Sequence, residues 1–333
     1  AVMWVGFTLV LLLLVFLAGH RANGATRWIM LAGFSLQPSE VAKVTGLIWA
    51  ASFLSKRIQK GEKITLIKRF LRPFFHVFDR KKKENTFRSM IAYFWPLYGP
   101  LAMALFVLIQ PDMGTAGMIL LFPVLLYVVA GLPIFEIFLG VGVAVFTFVL
   151  LVIAAPYRMD RVVVLWDPFS YAANRGYQTV QSLIAVGSGG LFGQSIGEGM
   201  SKFLYLPEQY TDFAYAVFSQ EFGFIGSVFV LLLYLVFLLA GFSAARKLKE
   251  TYAALLVYGL TMLISVQGIV NIAMVIGCFP VTGIPLPFIS YGGSSLIMNI
   301  ISVALIYGTT VQSLRETDLE ERKRRIAQME GRG

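Results

Sequence analysis

Residues 251–314 read TYAALLVYGLTMLISVQGIVNIAMVIGCFPVTGIPLPFISYGGSSLIMNIISVALIYGTTVQSL and contain no Asp, Glu, Lys or Arg. A helix that crosses a bilayer needs about 20 predominantly apolar residues, so this run is too long for a single crossing. Pro280, Gly283, Pro285, Pro287 and Gly292-Gly293 divide it, which predicts two helices, over residues 252–279 and 291–312. Outward from there, residues 1–18, 39–54, 91–109, 114–132, 134–155 and 212–245 carry the same apolar character. Ser39, after Pro38, is read as the N-cap of the second of these. The chain is 57% hydrophobic and 14% charged, whereas a soluble domain carries about a quarter charged residues. The fold class is therefore an all-α polytopic membrane protein with about eight transmembrane helices. Its single cysteine, Cys278, excludes an internal disulfide.

Charge sets the orientation. Twelve of the 28 Lys and Arg lie in residues 55–90, three are Arg246, Lys247 and Lys249, and six follow Leu314. If the helices alternate, all of these fall on one side, and the positive-inside rule makes that side cytosolic. The net charge of +10 is then a topology signal, not a nucleic-acid surface. The opposite side receives residues 19–38, 110–113, 156–211 and 280–290. The division expected is a transmembrane domain over residues 1–313, with an extracytoplasmic loop at 156–211, and a cytosolic tail over 314–333. The long loop is rich in glycine and also carries Trp166, Phe169, Tyr171 and Tyr177, which points to docking at the membrane interface.

Chemistry concentrates where that loop enters a helix. Residues 204–226 read LYLPEQYTDFAYAVFSQEFGFIG, with Glu208, Thr211 and Asp212 at the junction. Asp in a first helical turn is favoured by the helix dipole, by about 0.3–1 kcal/mol, and that alone would account for Asp212. The other reading makes Asp212 a general base at the membrane surface. Arg158, Arg161, Arg175 and Lys202 lie in the same loop. A carboxylate beside several cations suits a substrate that carries a diphosphate and a hydroxyl to be deprotonated, although each arginine taken singly reads as a headgroup anchor. Glu40 and Lys43 are three apart and share a helix face. They form either a self-neutralising ion pair or a cation and carboxylate facing a polar cavity, with Lys43 on a phosphate. Asp112, in QPDMGTAG, reads as a helix cap. His20 and His76 fall on opposite faces and make no metal pair. No GxxxxGK[ST] string is present, so the free energy of any reaction comes from the substrate's own leaving group.

Several strings together resemble a known family. They are GATRWI (24–29), QPSEVAK (37–43), QPDMGTAG (110–117), GYQTVQSLIAVGSGGLFG (176–193), YLPEQYTDF (205–213) and PVTGIPLPFISYGGSS (280–295). In this order they are similar to the shape, elongation, division and sporulation (SEDS) family of FtsW and RodA. The resemblance implies a ten-helix glycosyltransferase that polymerises lipid II outside the cytoplasmic membrane, beside a class B penicillin-binding transpeptidase and other division proteins. Residues 1–18 would correspond to its third helix. The essential aspartate of the family falls on Asp212, and its QPSExxK carboxylate and lysine fall on Glu40 and Lys43; Glu208 belongs to the same LPExxTDF string. Ser201-Lys202 ahead of that string is more like the division branch, FtsW, than the elongation branch, RodA.

The mechanism this implies is inverting. Asp212 takes the proton of the GlcNAc 4-hydroxyl of lipid II. That oxygen attacks the anomeric carbon at the reducing end of the growing chain, and undecaprenyl diphosphate leaves. The cations of the outer loop offset its charge, and a divalent cation, Mg2+ or Mn2+, is the one cofactor this chemistry leaves open. Two rivals share the polytopic build. A lipid II flippase would need polar groups through the whole depth of the membrane, and a scaffold for a transpeptidase would use small residues such as Gly259, Ala273 and Gly277.

Overall fold

The computed structural model describes residues 1–22, 25–31, 34–65, 80–197, 199 and 206–330. Among these residues the helices, in chain order, are α1 (Val2–Ala18), α2 (Pro38–Gln59), α3 (Arg80–Ile109), α4 (Met113–Val129), α5 (Ile134–Ile153), α6 (Pro156–Trp166), α7 (Tyr177–Ser188), α8 (Ala214–Arg246), α9 (Thr251–Val275) and α10 (Gly293–Glu330). Each of the eight apolar segments of the sequence is a helix. α5, α8, α9 and the first part of α10 are long and apolar enough to cross a bilayer, and α1, α4 and the second half of α3 are shorter apolar helices.

α9 is the centre. It packs against α8, α2, α10 and α4 and buries most of its length, including Leu256, Leu260, Leu263 and Met274. The core between α2, α4 and α9 is built on Leu47, Leu54, Phe122, Leu126 and Leu260. A second cluster, with Phe213, Tyr215, Val230, Ile264, Ile272 and Leu286, lies where α8 and α9 meet the segment after α9. α5 is the opposite case. It buries only Glu136 and Val152 and leaves Ile134, Phe138, Val141, Val145 and Phe146 open, as a helix facing lipid tails does. Glu136 accepts a hydrogen bond from Thr65 Oγ1 at 2.6 Å.

Four features differ from the sequence reading. A three-stranded antiparallel sheet, β1 (His20–Ala22), β2 (Ala25–Leu31) and β3 (Phe34–Leu36), links α1 to α2. α2 begins at Pro38 with Gln37 at its N-cap, so Ser39 lies inside the first turn; Pro fits there because its fixed φ suits the start of a helix. The long loop contains α6 and α7. Finally, α10 continues through the expected tail, because residues 315–330 contain helix formers and no Pro or Gly before Gly331.

α8 is bent. Gly223, at φ 65° and ψ −164°, leaves the helical region. Residues 190–194 pair with the bend through Phe224 N to Gly190 O (2.8 Å), Ile225 N to Leu191 O (3.2 Å) and Gln194 N to Gln220 O (3.0 Å). A Cβ on Gly223 would lie 2.4 Å from Gly193 N, so only glycine admits both the dihedral angle and the approach.

The α8–α9 crossing depends on a second close approach: a Cβ on Gly241 would lie 2.3 Å from Thr261 Oγ1 and 2.9 Å from its Cβ. Gly241→Ala therefore forces the helices apart and costs about 1–3 kcal/mol. The expected result is a lower thermal-unfolding midpoint in detergent, and an unchanged midpoint would contradict this packing.

Candidate active site

After α9 the chain runs without helix to the start of α10. Pro280, Pro285 and Pro287 supply no N–H, and Gly283 sits at φ 71°. The carbonyls of this segment are received by side chains. Arg161 Nη1 donates to Val281 O (2.5 Å), Asn271 Nδ2 to Ile284 O (2.7 Å), Gln267 Nε2 to Pro285 O (3.0 Å) and the Tyr234 hydroxyl to Pro287 O (2.6 Å). Ser290 Oγ accepts from Leu286 N (2.8 Å) and donates to Thr211 O (2.5 Å), while Tyr291 N donates to Tyr210 O (2.7 Å). The segment is thus bonded to the turn that carries Asp212.

That turn is wound on Glu208. At φ 54°, its backbone is in the left-handed region, and its carbonyl accepts from both Thr211 N (3.1 Å) and Phe213 N (3.2 Å). Its carboxylate accepts from Thr211 Oγ1 at 2.8 Å. Asp212 follows, two residues before α8, with its main-chain carbonyl held by Asn271 Nδ2 at 2.8 Å. Its Oδ2 lies 3.4 Å from the point where a Cβ of Gly283 would stand. Gly283 thus stands beside the carboxylate, and its φ of 71° is what favours glycine there. Burial pushes the Asp212 carboxyl up to about 7; the charges of Glu208 and Asp112 push the same way, and those of Arg161 and Arg27 pull against them.

Asp112 caps α4, accepting from Thr115 N (3.1 Å) and Thr115 Oγ1 (2.9 Å), and it also lies 4.0 Å from Arg27 Nη1. Arg27, on β2, donates to Gln110 O at 3.2 Å and to Pro111 O. The start of α4 touches the segment after α9, since a Cβ on Gly114 would lie 2.5 Å from Thr282 O. The sheet, the turn before α4, the turn before α8 and the segment after α9 therefore meet at one end of the bundle.

The predicted cations divide. Arg161 and Arg175 border one cavity of about 230 Å3, together with Gln178, Thr179, Pro280 and Val281. Arg175 also pairs with Asp160 and lies over the Tyr171 ring. Arg158 turns away, donating to Leu151 O near the end of α5 at 2.8 Å. Lys202 lies outside the described residues.

Glu40 and Lys43 are each 3% exposed and lie 2.8 Å apart. Lys43 Nζ also donates to Gln267 Oε1 at 2.7 Å, and Gln267 in turn holds Pro285 O. The pair is therefore joined, through one amide, to the segment beside Asp212. The sequence reading passed over Arg27, Tyr234, Gln267, Asn271 and Ser290. Gln267 and Asn271 carried a usable signal: amides in an uncharged apolar run must serve main chain or each other, because lipid offers no partner.

A bundle of apolar helices, closed at one end by non-helical chain around a partly buried carboxylate, defines a polytopic membrane protein. The FtsW/RodA/SpoVE family model, described as a cell cycle protein, matches residues 1–314. Stage V sporulation protein E of Bacillus subtilis (strain 168) is 37% identical over 302 residues, covering 90% of this chain and 75% of that protein. A Geobacter sp. (strain M18) protein named "Probable peptidoglycan glycosyltransferase FtsW" is 37% identical over 308 residues, covering 92% and 77%. In a solved peptidoglycan synthase complex, described as coordinating polymerization and crosslinking, one chain matches this fold with a TM-score of 0.68 and 26% identity, over 93% of this chain and 80% of that one. The chain belongs to the FtsW/RodA/SpoVE family.

The buried pair gives a direct test. Lys43→Met leaves Glu40 uncompensated and destabilises by about 3–5 kcal/mol, whereas changing both residues to well-packed apolar ones recovers most of that loss. Thermal unfolding of the single and double variants checks this; a single variant as stable as the parent would contradict the burial described.

Proposed function

We propose that this chain is an inverting peptidoglycan glycosyltransferase. It moves the growing glycan from undecaprenyl diphosphate to the GlcNAc 4-hydroxyl of lipid II during septal wall synthesis. The observation that carries the reading is Asp212: a partly buried carboxyl raised to about 7, with its main chain fixed by Asn271 and with arginines close enough to act on its charge. A base of that pKa is half ionised at neutral pH, which suits proton removal from a sugar hydroxyl as the new bond forms.

Asp212 accepts the 4-hydroxyl proton while the oxygen bonds to the anomeric carbon of the chain's reducing end. The bond from that carbon to the diphosphate oxygen breaks, and its electron pair leaves with undecaprenyl diphosphate. Attack from the opposite face turns the α-linked donor into a β-linked polymer. The cavity of Arg161 and Arg175 is assigned to the diphosphate. Each guanidinium has five N–H donors, so the bonds to Val281 O and Asp160 leave others for phosphate oxygens. An apolar cavity of about 210 Å3 between α8 and α9, lined by Val230, Leu233, Phe237, Ile264 and Phe288, is assigned to part of a polyprenyl tail. Among the described residues no three His, Cys, Asp or Glu side chains gather to hold a metal ion.

The end with Asp212 is assigned to the extracytoplasmic side of the bacterial membrane. The basic ends of α2 and α8, with Lys56, Arg57 and Arg246 in their last turns, support the cytosolic side for the opposite end. A class B penicillin-binding transpeptidase is the partner assigned, supported by likeness to a complex that coordinates polymerization with crosslinking.

Purified protein given fluorescent lipid II tests the reading. Asp212→Ala is expected to lower polymerisation at least about 100-fold with the fold retained; polymer at the parent's rate would refute the assignment. The pH dependence follows from the raised pKa. Because the base works deprotonated, kcat rises with pH to a plateau above about 7 and falls about tenfold per unit well below it. A rate that is flat between pH 5 and 8 would show that another group carries the proton.

A further inference from the structure

Asn271 is fully buried on α9, one turn beyond Gln267. Its Nδ2 donates to Asp212 O at 2.8 Å and to Ile284 O at 2.7 Å. Main-chain carbonyls only accept, so the amide nitrogen must be the atom that faces both, and its two N–H groups suffice for the two of them. These carbonyls belong to the two pieces of chain that flank the carboxylate. One is Asp212 itself; the other is the residue next to Gly283, whose missing Cβ faces Asp212 Oδ2. The Asn271 oxygen, Oδ1, is buried, and among the described residues none donates to it.

We propose that Asn271 is a positioning residue for glycan polymerisation: one amide fixes the distance between the Asp212 turn and the Gly283 segment, and so sets the carboxylate against the acceptor hydroxyl. This rests on reading Asp212 as the base. Asn271 touches neither sugar nor diphosphate and acts through Asp212. Displacing a catalytic group by about 1 Å can cost about 100-fold in rate, so loss of the clasp falls on kcat.

The test compares Asn271→Ala and Asn271→Ser with the parent, in nanodiscs supplied with fluorescent lipid II. Asn271→Ala is expected to lower kcat about 10- to 100-fold with KM for lipid II within about twofold. Asn271→Ser, which keeps one donor for one of the two carbonyls, falls between. In both, the loosened Asp212 is better hydrated, so the rising limb of the kcat–pH profile moves to lower pH, a change that a purely structural role would not produce. If Asn271→Ala does not fold, Asn271→Ser decides. A folded variant with the parent's kcat and pH limb overturns the proposal, as does a rise in KM at unchanged kcat, which would make Asn271 a substrate contact. Asp212→Ala, run beside them, separates the two failures. Polymerisation by that variant sinks the functional reading, whereas its inactivity together with a parent-like Asn271→Ser sinks the positioning role alone.

Discussion

Inside a bilayer a main-chain carbonyl that leaves a helix must find its donor within the protein, because an unsatisfied one costs several kcal/mol, to order of magnitude. The run after α9 has three prolines and two left-handed glycines, Gly277 and Gly283, so it cannot satisfy itself as a helix. Instead it draws donors from elsewhere: Arg161 from α6, Tyr234 from α8, Gln267 and Asn271 from α9. Together these four bonds join the segment to three helices, α6, α8 and α9. A break in one helix has thus become the joint that fixes several helices to one another, and the Asp212 turn is bonded to the same joint through Ser290 and Tyr291.

That arrangement explains why polar groups persist in so apolar a core. Lys43 neutralises Glu40 and spends a further donor on Gln267, whose own amide nitrogen holds Pro285 O. Ser294, at the start of α10, donates to Ser35 O and accepts from Gln37 N, which ties α10 to β3 and to the start of α2. The charges near Asp212 act on a carboxyl that burial has already made hard to ionise. The two arginines nearby offset this in part, and the balance leaves a base that titrates near neutrality.

Much of this was legible in the sequence, for reasons that can be named. Eight apolar runs became eight helices because about 20 apolar residues admit few other structures in lipid. Asp212 stood out because it opens such a run. The strands at residues 20–36 were not legible, since pieces of three to seven residues carry too little periodicity to separate from loop. α6 and α7 were hidden by the glycines around them, although PYRMDRVVVLW has amphipathic helical spacing. The continuation of α10 was not legible in the apolar pattern, because charge ends the span and not the helix. Asn271 and Gln267 were passed over because single amides in an apolar run look incidental until the broken chain they serve is in view. Arg161 and Arg175 came together at one cavity while Arg158 turned back to α5, a division that spacing within a loop does not reveal.

The segment after α9 is a fixed strut and not a surface loop. Hydrogen–deuterium exchange of the protein in nanodiscs measures this directly at Leu286, Ile289, Ser290 and Tyr291, whose N–H groups all donate within the protein. Peptides covering these residues are expected to exchange as slowly as the adjoining helix α9. Exchange within seconds, as in freely solvated chain, would contradict it.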